Sequence, residues 1–324
     1  MSELRWVPPR RADDAEWADL LASIEAVDQR GETLEPADLA DEWASVWSHP
    51  ETDAIFVWDG PLLVAFGWLK TQVGERKEHR VDCWGGVRPS HRGRGIGRQL
   101  LEWQVSRASE VAATLDPALG TRIGIEAADH QHAVLHLAQR AGFEPVRRFL
   151  ELARPTAVPV PPVPAVADLE LVPWSEDLDD RARQAHADSF VDHWGSEPRT
   201  AEEWRQWYTG HRAFRDDLSV LALDPLSAEV IGFVLTAAYP QDWATVPVEA
   251  WITTVGTRRS WRGKGVARWL MAVTLERIAA SPTGFERAIL GVDADNPTGA
   301  LRLYRALSFE DERAVTFLGR APSS

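Results

Sequence analysis

The chain has 324 residues, of which 44% are hydrophobic and 26% charged, a balance that excludes a disordered or membrane-embedded polypeptide and leaves room for two compact units. Its formal net charge of -14 argues against a general nucleic-acid binder, which needs clustered Lys and Arg, and favours a cationic partner instead. Cys83 is the only cysteine, so no disulfide forms within the chain; with no signal-like leader in MSELRWVPPRRADDAEW and no apolar run long enough for a bilayer, a cytoplasmic location with no membrane partner is expected.

In chain order the elements are written twice. LRWVP at 4–8 reads as a strand and is followed by an acidic, helical segment; LELVP at 169–173 repeats both features. AIFVW (54–58) and LLVAFGWL (62–69) form a predicted hairpin, matched by LSVLAL (218–223) and VIGFVLTAA (230–238). HRVDCWGGV (79–87) and VEAWITTVGT (248–257) are strands that run into glycine-rich loops. HRGRGIGRQLLEW (91–103) then returns as WRGKGVARWLMAV (261–273), displaced by 170 residues, and each opens a helix with apolar residues at helical spacing. A strand and a helix close each copy: RIGIEA with HAVLHLAQRAGF, and RAILGVD with ALRLYRALSF. The expected fold is therefore α+β, two domains that each carry a mixed, mostly antiparallel sheet flanked by helices. The expected division is a first domain at 1–153, a spacer at 154–167 and a second domain at 168–324. RPTAVPVPPVPAVA, with its five prolines, reads as that extended, semi-rigid spacer.

The glycine loop follows R-x-x-G-x-G/A, from Arg92 to Gly97 and from Arg262 to Ala267. It is neither a P-loop, which needs a Lys followed by Ser or Thr, nor a dinucleotide fingerprint, whose glycines are spaced differently. What remains is a strand, a turn of bared N–H groups and a helix whose positive dipole end faces a bound anion such as a pyrophosphate. A plain tight turn is the simpler alternative for either loop taken alone.

On these residues both copies resemble the GNAT superfamily of acyl-CoA N-acyltransferases, and the tandem arrangement resembles its mycothiol synthase group. The resemblance implies acetyl-CoA as cosubstrate and no metal. It implies that the coenzyme pyrophosphate lies on Arg92, Gly93, Arg94, Gly95, Ile96 and Gly97, and on Arg262, Gly263, Lys264, Gly265, Val266 and Ala267. The pantetheine arm would run along the strand ends at Gly85, Gly86 and Val87 and at Val255, Gly256 and Thr257, where glycines fit a bulge. Aligned on Phe143 and Phe309, the final helices differ: Asn296 and Tyr304 match the family's N-x(7)-Y pattern, whereas the first copy has His130 and Ala138. The resemblance makes Tyr304 the general acid toward the departing thiolate and Asn296 a holder of the arm. Acetyl transfer is accordingly expected in the second copy, with the first a scaffold or regulatory unit whose loop is still fit for acetyl-CoA.

A neutral amine must attack the thioester, so its proton needs an acceptor. Glu249, Trp251 and Thr253 share a strand face in VEAWITTV. Thr253 stands where relatives often carry a glutamate, which leaves Glu249 as the candidate base through water, against the alternative of a merely hydrogen-bonded glutamate. Asp293 and Asp295 are either counter-charges for the acceptor or ordinary turn residues. His130, His132 and His136 have part of a metal-binding spacing but read better as a solvated helix start, and Cys83 reads as a packed apolar side chain. The expected activity is acetylation of a primary amine in a ternary complex, with a small amine, a cysteinyl pseudodisaccharide or a polypeptide as acceptor. A non-catalytic acetyl-CoA sensor is the alternative.

Overall fold

The computed structural model describes residues 3–74, 77–194, 196–296 and 298–323. They fall into two compact units, Met1–Arg148 with Val315–Ser324, and Phe149–Ala314. The mixed α+β architecture expected from the sequence is present in each.

The first unit contains β1 (Arg5–Val7), α1 (Asp14–Asp28), α2 (Pro36–Ala44), α3 (Pro50–Asp53), β2 (Ala54–Asp59), β3 (Leu62–Gln72), β4 (His79–Val87), α4 (Ile96–Ala112), β5 (Thr121–Ala128) and α5 (His132–Arg140). The chain continues through β6 (Glu144–Pro155) and β7 (Glu170–Pro173) to α6 (Asp179–Ser189), α7 (Ala201–Trp204), β8 (Val220–Leu223), β9 (Val230–Ala237), β10 (Glu249–Thr257), α8 (Val266–Ala280), β11 (Arg287–Asp293), α9 (Ala300–Ala306) and β12 (Glu310–Arg320). The sheet order is β1-β2-β3-β4-β5-β12 in the first unit and β7-β8-β9-β10-β11-β6 in the second. All these pairs are antiparallel except β4 with β5 and β10 with β11.

Two features depart from the expected division. The strand that ends the first copy in sequence, over 149–155, pairs with β11 of the second unit, and the one that ends the second copy, over 315–320, pairs with β5 of the first. The copies thus exchange their last strands. Two similar strands can satisfy either parallel edge, so sequence periodicity alone does not choose between them. Nor is 154–167 a bare spacer. Val160, Val163 and Val166 pack against the second unit's core, and their spacing of three is that of a polyproline helix presenting one face. Arg154, 1% exposed, anchors the start of this strap through Nε to the Leu307 carbonyl at 2.7 Å and through its guanidinium to the Val158 carbonyl at 2.6 Å. Burial lowers the pKa of its guanidinium.

One apolar layer lies on each side of each sheet. In the second unit α8 buries Val266, Leu270, Met271, Leu275 and Ile278 against one face, while α6 presents Ala182 and Ala185 to Phe233 and Leu235 on the other. In the first unit, Trp17 of α1 stacks on Trp68 at 4.8 Å beside Phe56 and Phe66, so much of the tryptophan content is core. Among the described residues no helix is long and apolar enough to cross a membrane.

The parallel pairs position the site. β4 and β5 stay paired only from His79–Asp82 and Thr121–Gly124, and β10 and β11 only from Glu249–Ile252 and Arg287–Leu290. Beyond these rungs each pair parts. β4 and β10 keep their antiparallel partners on one side and leave backbone groups facing a V-shaped opening on the other.

Candidate active site

At the rim of each opening sits the glycine loop. Gly93 and Gly95 have φ of +75° and +83°, and Gly263 and Gly265 have +76° and +85°. A Cβ at any of these four positions would meet nothing within 4 Å, so glycine is there for its left-handed backbone and leaves a bare concavity in front of it. From Gly263 to Arg268, and from Gly93 to Arg98, no described backbone N–H donates to a protein acceptor; the first helical bonds are those of Trp269 to Gly265 and Gln99 to Gly95. Val266 and Ile96 bury their side chains, so these residues can offer an anion only their amides. Six consecutive open donors at the positive end of a helix fit a pyrophosphate.

The first arginine of each motif is held by the protein itself. Arg92 grips both oxygens of Asp28 at 2.6 and 2.9 Å and donates to the Val87 carbonyl, and its own N–H is bonded to Pro89. Arg262 reaches Asp192 at 3.2 Å and the Ser189 carbonyl at 2.6 Å, with its N–H on Arg259. Both guanidinium groups brace the loop against the end of α1 or α6, where a neighbouring carboxylate compensates their charge. Within the second motif, from Arg262 to Arg268, the cations without a carboxylate partner among the described residues are Lys264, whose Nζ lies 4.2 Å from the centre of the Trp261 ring, and the exposed Arg268. In the first, Arg94 lies 3.5 Å from Asp59 and Arg98 lies 3.7 Å from Glu102. Sequence reading missed the bracing aspartates, although VDQRG at 27–31 and VDHWG at 191–195 repeat around them.

The strand ends behave differently in the two copies. In β10 the register with β9 shifts between Ile252 and Thr254, making Thr253 an inserted bulge residue whose hydroxyl donates to the Leu235 carbonyl at 3.1 Å. β4 has no such shift, and neither Gly85 nor Gly86 is a bulge. The glycines there serve packing. A Cβ on Gly256 would lie 2.2 Å from the Phe233 ring, and one on Gly86 would lie 2.7 Å from Cδ1 of Ile24. Val255, Gly256 and Thr257 keep their pairing with β9 and face the opening on the other side, where the buried Thr257 hydroxyl has no hydrogen-bond partner. That orphaned group and the unpaired strand edge suit the amides of a pantetheine arm.

Tyr304 lies on α9, 7% exposed, with its ring edge-on to Phe309 at 6.0 Å. Its hydroxyl bonds no other described residue, and burial pushes its pKa up to about 12, so it holds its proton throughout the neutral range. In the first unit Ala138 occupies the corresponding turn of α5, and His130 donates from Nε2 to the Asp28 carbonyl at 2.8 Å. Asn296 caps a turn: its Oδ1 accepts from the Thr298 N–H at 2.8 Å and from the Thr298 hydroxyl at 2.5 Å. Asp293 accepts from the Asp295 N–H at 3.0 Å in the same manner. Pro297 lies outside the described residues.

Glu249, the candidate base, has both carboxylate oxygens engaged within the protein. Its carboxylate is 4% exposed; Oε2 takes the Arg287 guanidinium at 2.7 Å and Oε1 accepts from the Trp251 indole at 3.0 Å. A carboxylate with both oxygens engaged and its charge matched is structural, and it sits at the closed end of the opening, on the first rung of the parallel pair. Among the described residues no three His, Cys, Asp or Glu are grouped to hold a metal, and burial raises the pKa of the Cys83 thiol, which keeps it unreactive.

The Acetyltransferase (GNAT) family model matches residues 17–143 and again 180–309. A mycothiol acetyltransferase of Parafrankia sp. (strain EAN1pec) is 27% identical over 97% of this chain and 97% of its own length. That of Tsukamurella paurometabola is 30% identical over 71% of this chain and 75% of its own. Among solved structures, a GCN5-related N-acetyltransferase from Sphaerobacter thermophilus superposes with a TM-score of 0.72 at 23% identity, covering 99% of this chain and 96% of that one. A tandem GNAT protein from the clavulanic acid biosynthesis pathway gives 0.70 at 19% identity, covering 99% of both. With both loops, both parted strand pairs and both family matches in register, the chain belongs to the GNAT family as a tandem acyltransferase.

Proposed function

We propose that the protein transfers the acetyl group of acetyl-CoA to a primary amine by direct attack within a ternary complex, and that turnover resides in the second unit. The observation that carries this reading is Tyr304, a buried hydroxyl held in its protonated form beside the parted strands, where the first unit has only Ala138. Acetyl-CoA supplies a thioester carbonyl for attack and a thiolate as leaving group. Lys264, Arg268 and the amides of Gly263–Arg268 hold the diphosphate, and the free edge of Val255–Thr257 orients the arm. Tyr304 gives its proton to the departing sulfur. Asp293, 4% exposed at the end of β11 and directed by strand alternation to the same side as Trp251, is the counter-charge to the incoming ammonium, which gives up its proton to water before the neutral amine attacks. The relatives are named as mycothiol acetyltransferases, so a mycothiol precursor with a free amine is the first acceptor to assay.

The test is Tyr304→Phe followed by free-thiol release and coenzyme titration. Turnover should fall on the order of 10²-fold with acetyl-CoA affinity unchanged. The wild type should show no alkaline loss from this group below about pH 11, since its pKa is about 12. An unaltered rate removes Tyr304 from the chemistry, and coenzyme binding without turnover on any amine leaves a sensor.

A further inference from the structure

The last helix of each copy ends in the same closed turn, and in both an arginine from outside the helix completes it. After α9 the Phe309 N–H returns to the Tyr304 carbonyl at 3.1 Å and the Ser308 N–H to the Arg305 carbonyl at 3.0 Å. After α5 the Phe143 and Gly142 N–H groups return in the same way to Ala138 and Gln139, each at 3.0 Å. This pattern closes a helix whose next residue turns left-handed, and Ser308 and Gly142 have φ of +66° and +80°. Tyr304 and Ala138 therefore stand at the same place in the last turn, and the ring contact of Tyr304 with Phe309 is the apolar pairing that accompanies such an end.

The residues that cap these helices are Leu307 and Ala141, and a cap carbonyl has no acceptor's share in the helix's own hydrogen bonds. Arg154 Nε donates to the Leu307 carbonyl at 2.7 Å, and Arg320 Nη1 donates to the Ala141 carbonyl at 2.5 Å. Arg154 lies near the end of β6 and Arg320 ends β12. The exchanged strands thus each carry the arginine that finishes the other copy's last helix: Arg154 follows the first copy in sequence and holds α9, while Arg320 follows the second and holds α5.

The two arginines are unequally placed. Arg320 spends its other donors on the Ala321 carbonyl at 3.2 Å and the Ser323 hydroxyl at 3.1 Å, both at the surface. Arg154 is 1% exposed, and its donors all go to backbone carbonyls: Leu307, Pro155 at 3.2 Å and Val158 at 2.6 Å. Among the described residues no carboxylate accompanies it. A buried cation is costly to keep, and here three carbonyl dipoles, one of them at the negative end of α9, compensate it. The strap supplies the Val158 carbonyl and packs Val160, Val163 and Val166 on the same apolar core that holds Tyr304, Leu307 and Phe309. Ser308 also lacks the ease with which Gly142 turns left-handed, so the end of α9 depends more on an outside holder than the end of α5 does.

We infer that Arg154 is a positioning residue for Tyr304: under cover of the proline strap it holds the last turn of α9, and with it the Tyr304 ring, at the parted strands of the second unit. Its effect on rate rests on the reading of Tyr304 as general acid; its effect on the ring does not. The placement of that acid is then fixed by a side chain written at the end of the first copy.

The test uses the full chain labelled with meta-fluorotyrosine, which enters at Tyr208, Tyr239 and Tyr304, with Tyr304→Phe assigning the fluorine signals. In Arg154→Met the Tyr304 signal should move and broaden while those of Tyr208 and Tyr239 stay in place. Arg154→Lys, which keeps one donor for the Leu307 carbonyl, should restore it in part, and Arg320→Met should leave it unchanged. In the thiol-release assay used for Tyr304→Phe, Arg154→Met should lower kcat about tenfold at unchanged KM for acetyl-CoA, but less than about twofold on the Tyr304→Phe background, where the ring it places has no proton to give. A full rate in Tyr304→Phe would sink the general acid alone, because the ring signal still decides the clamp. A Tyr304 signal identical to wild type in both Arg154 variants, or a kcat loss as large without the Tyr304 hydroxyl as with it, would overturn the inference. Where Arg154→Met does not fold, Arg154→Lys is read in the same way, with a smaller shift expected.

Discussion

The two units carry glycine loops of nearly the same backbone conformation and differ on the floor of the opening behind them. Gly95 and Gly265 differ by 2° in φ, both at the start of a long helix, whereas Asp82 and Glu126 in one copy are Trp251 and Gly291 in the other. Around them, Ala138 replaces Tyr304, and β10 carries the bulge that β4 lacks. The lesson is that a few glycines and a helix start suffice for a backbone-built anion site, so it can stay alike in two copies whose side chains differ.

The sharpest way to break this comparison is at the loops. Gly265→Glu should abolish coenzyme binding in the second unit and with it turnover, since it places a carboxylate among the open amides; Gly95→Glu should leave turnover intact. The strain of a side chain at these angles is only about 1–2 kcal/mol, so both variants should fold, and calorimetry with acetyl-CoA should count one site fewer in each. Full activity in Gly265→Glu, or none in Gly95→Glu, would reverse the assignment of roles.

Smaller effects sharpen it. Glu249→Gln leaves Arg287 with Glu312 alone, at 2.9 Å, and should cost about 2 kcal/mol of stability in denaturant titration while kcat stays within about twofold. A large loss of kcat at unchanged stability would restore Glu249 as a base. Gly256→Ala forces a methyl into the Phe233 ring at 2.2 Å and should cost roughly 2 kcal/mol. Gly86→Ala meets only the mobile end of Ile24 at 2.7 Å and should cost less than about 1 kcal/mol. Equal losses would mean that the two strand ends are packed alike.

By itself the sequence determined whatever is written within a few consecutive residues. The repeat, the glycines that need positive φ, the helix starts and the contrast between Tyr304 and Ala138 depend on local backbone preference and on side-chain identity at a matched place. The tertiary structure alone decided which strand closes which sheet, that Arg92 and Arg262 answer Asp28 and Asp192, that Glu249 is consumed by Arg287, and that Asp82 leans over Gly124. Each of these pairs joins residues far apart in the chain, and strand register, not residue type, sets who faces whom. A charged side chain has the same letter whether its partner is water, an arginine or a substrate, and only the fold shows which.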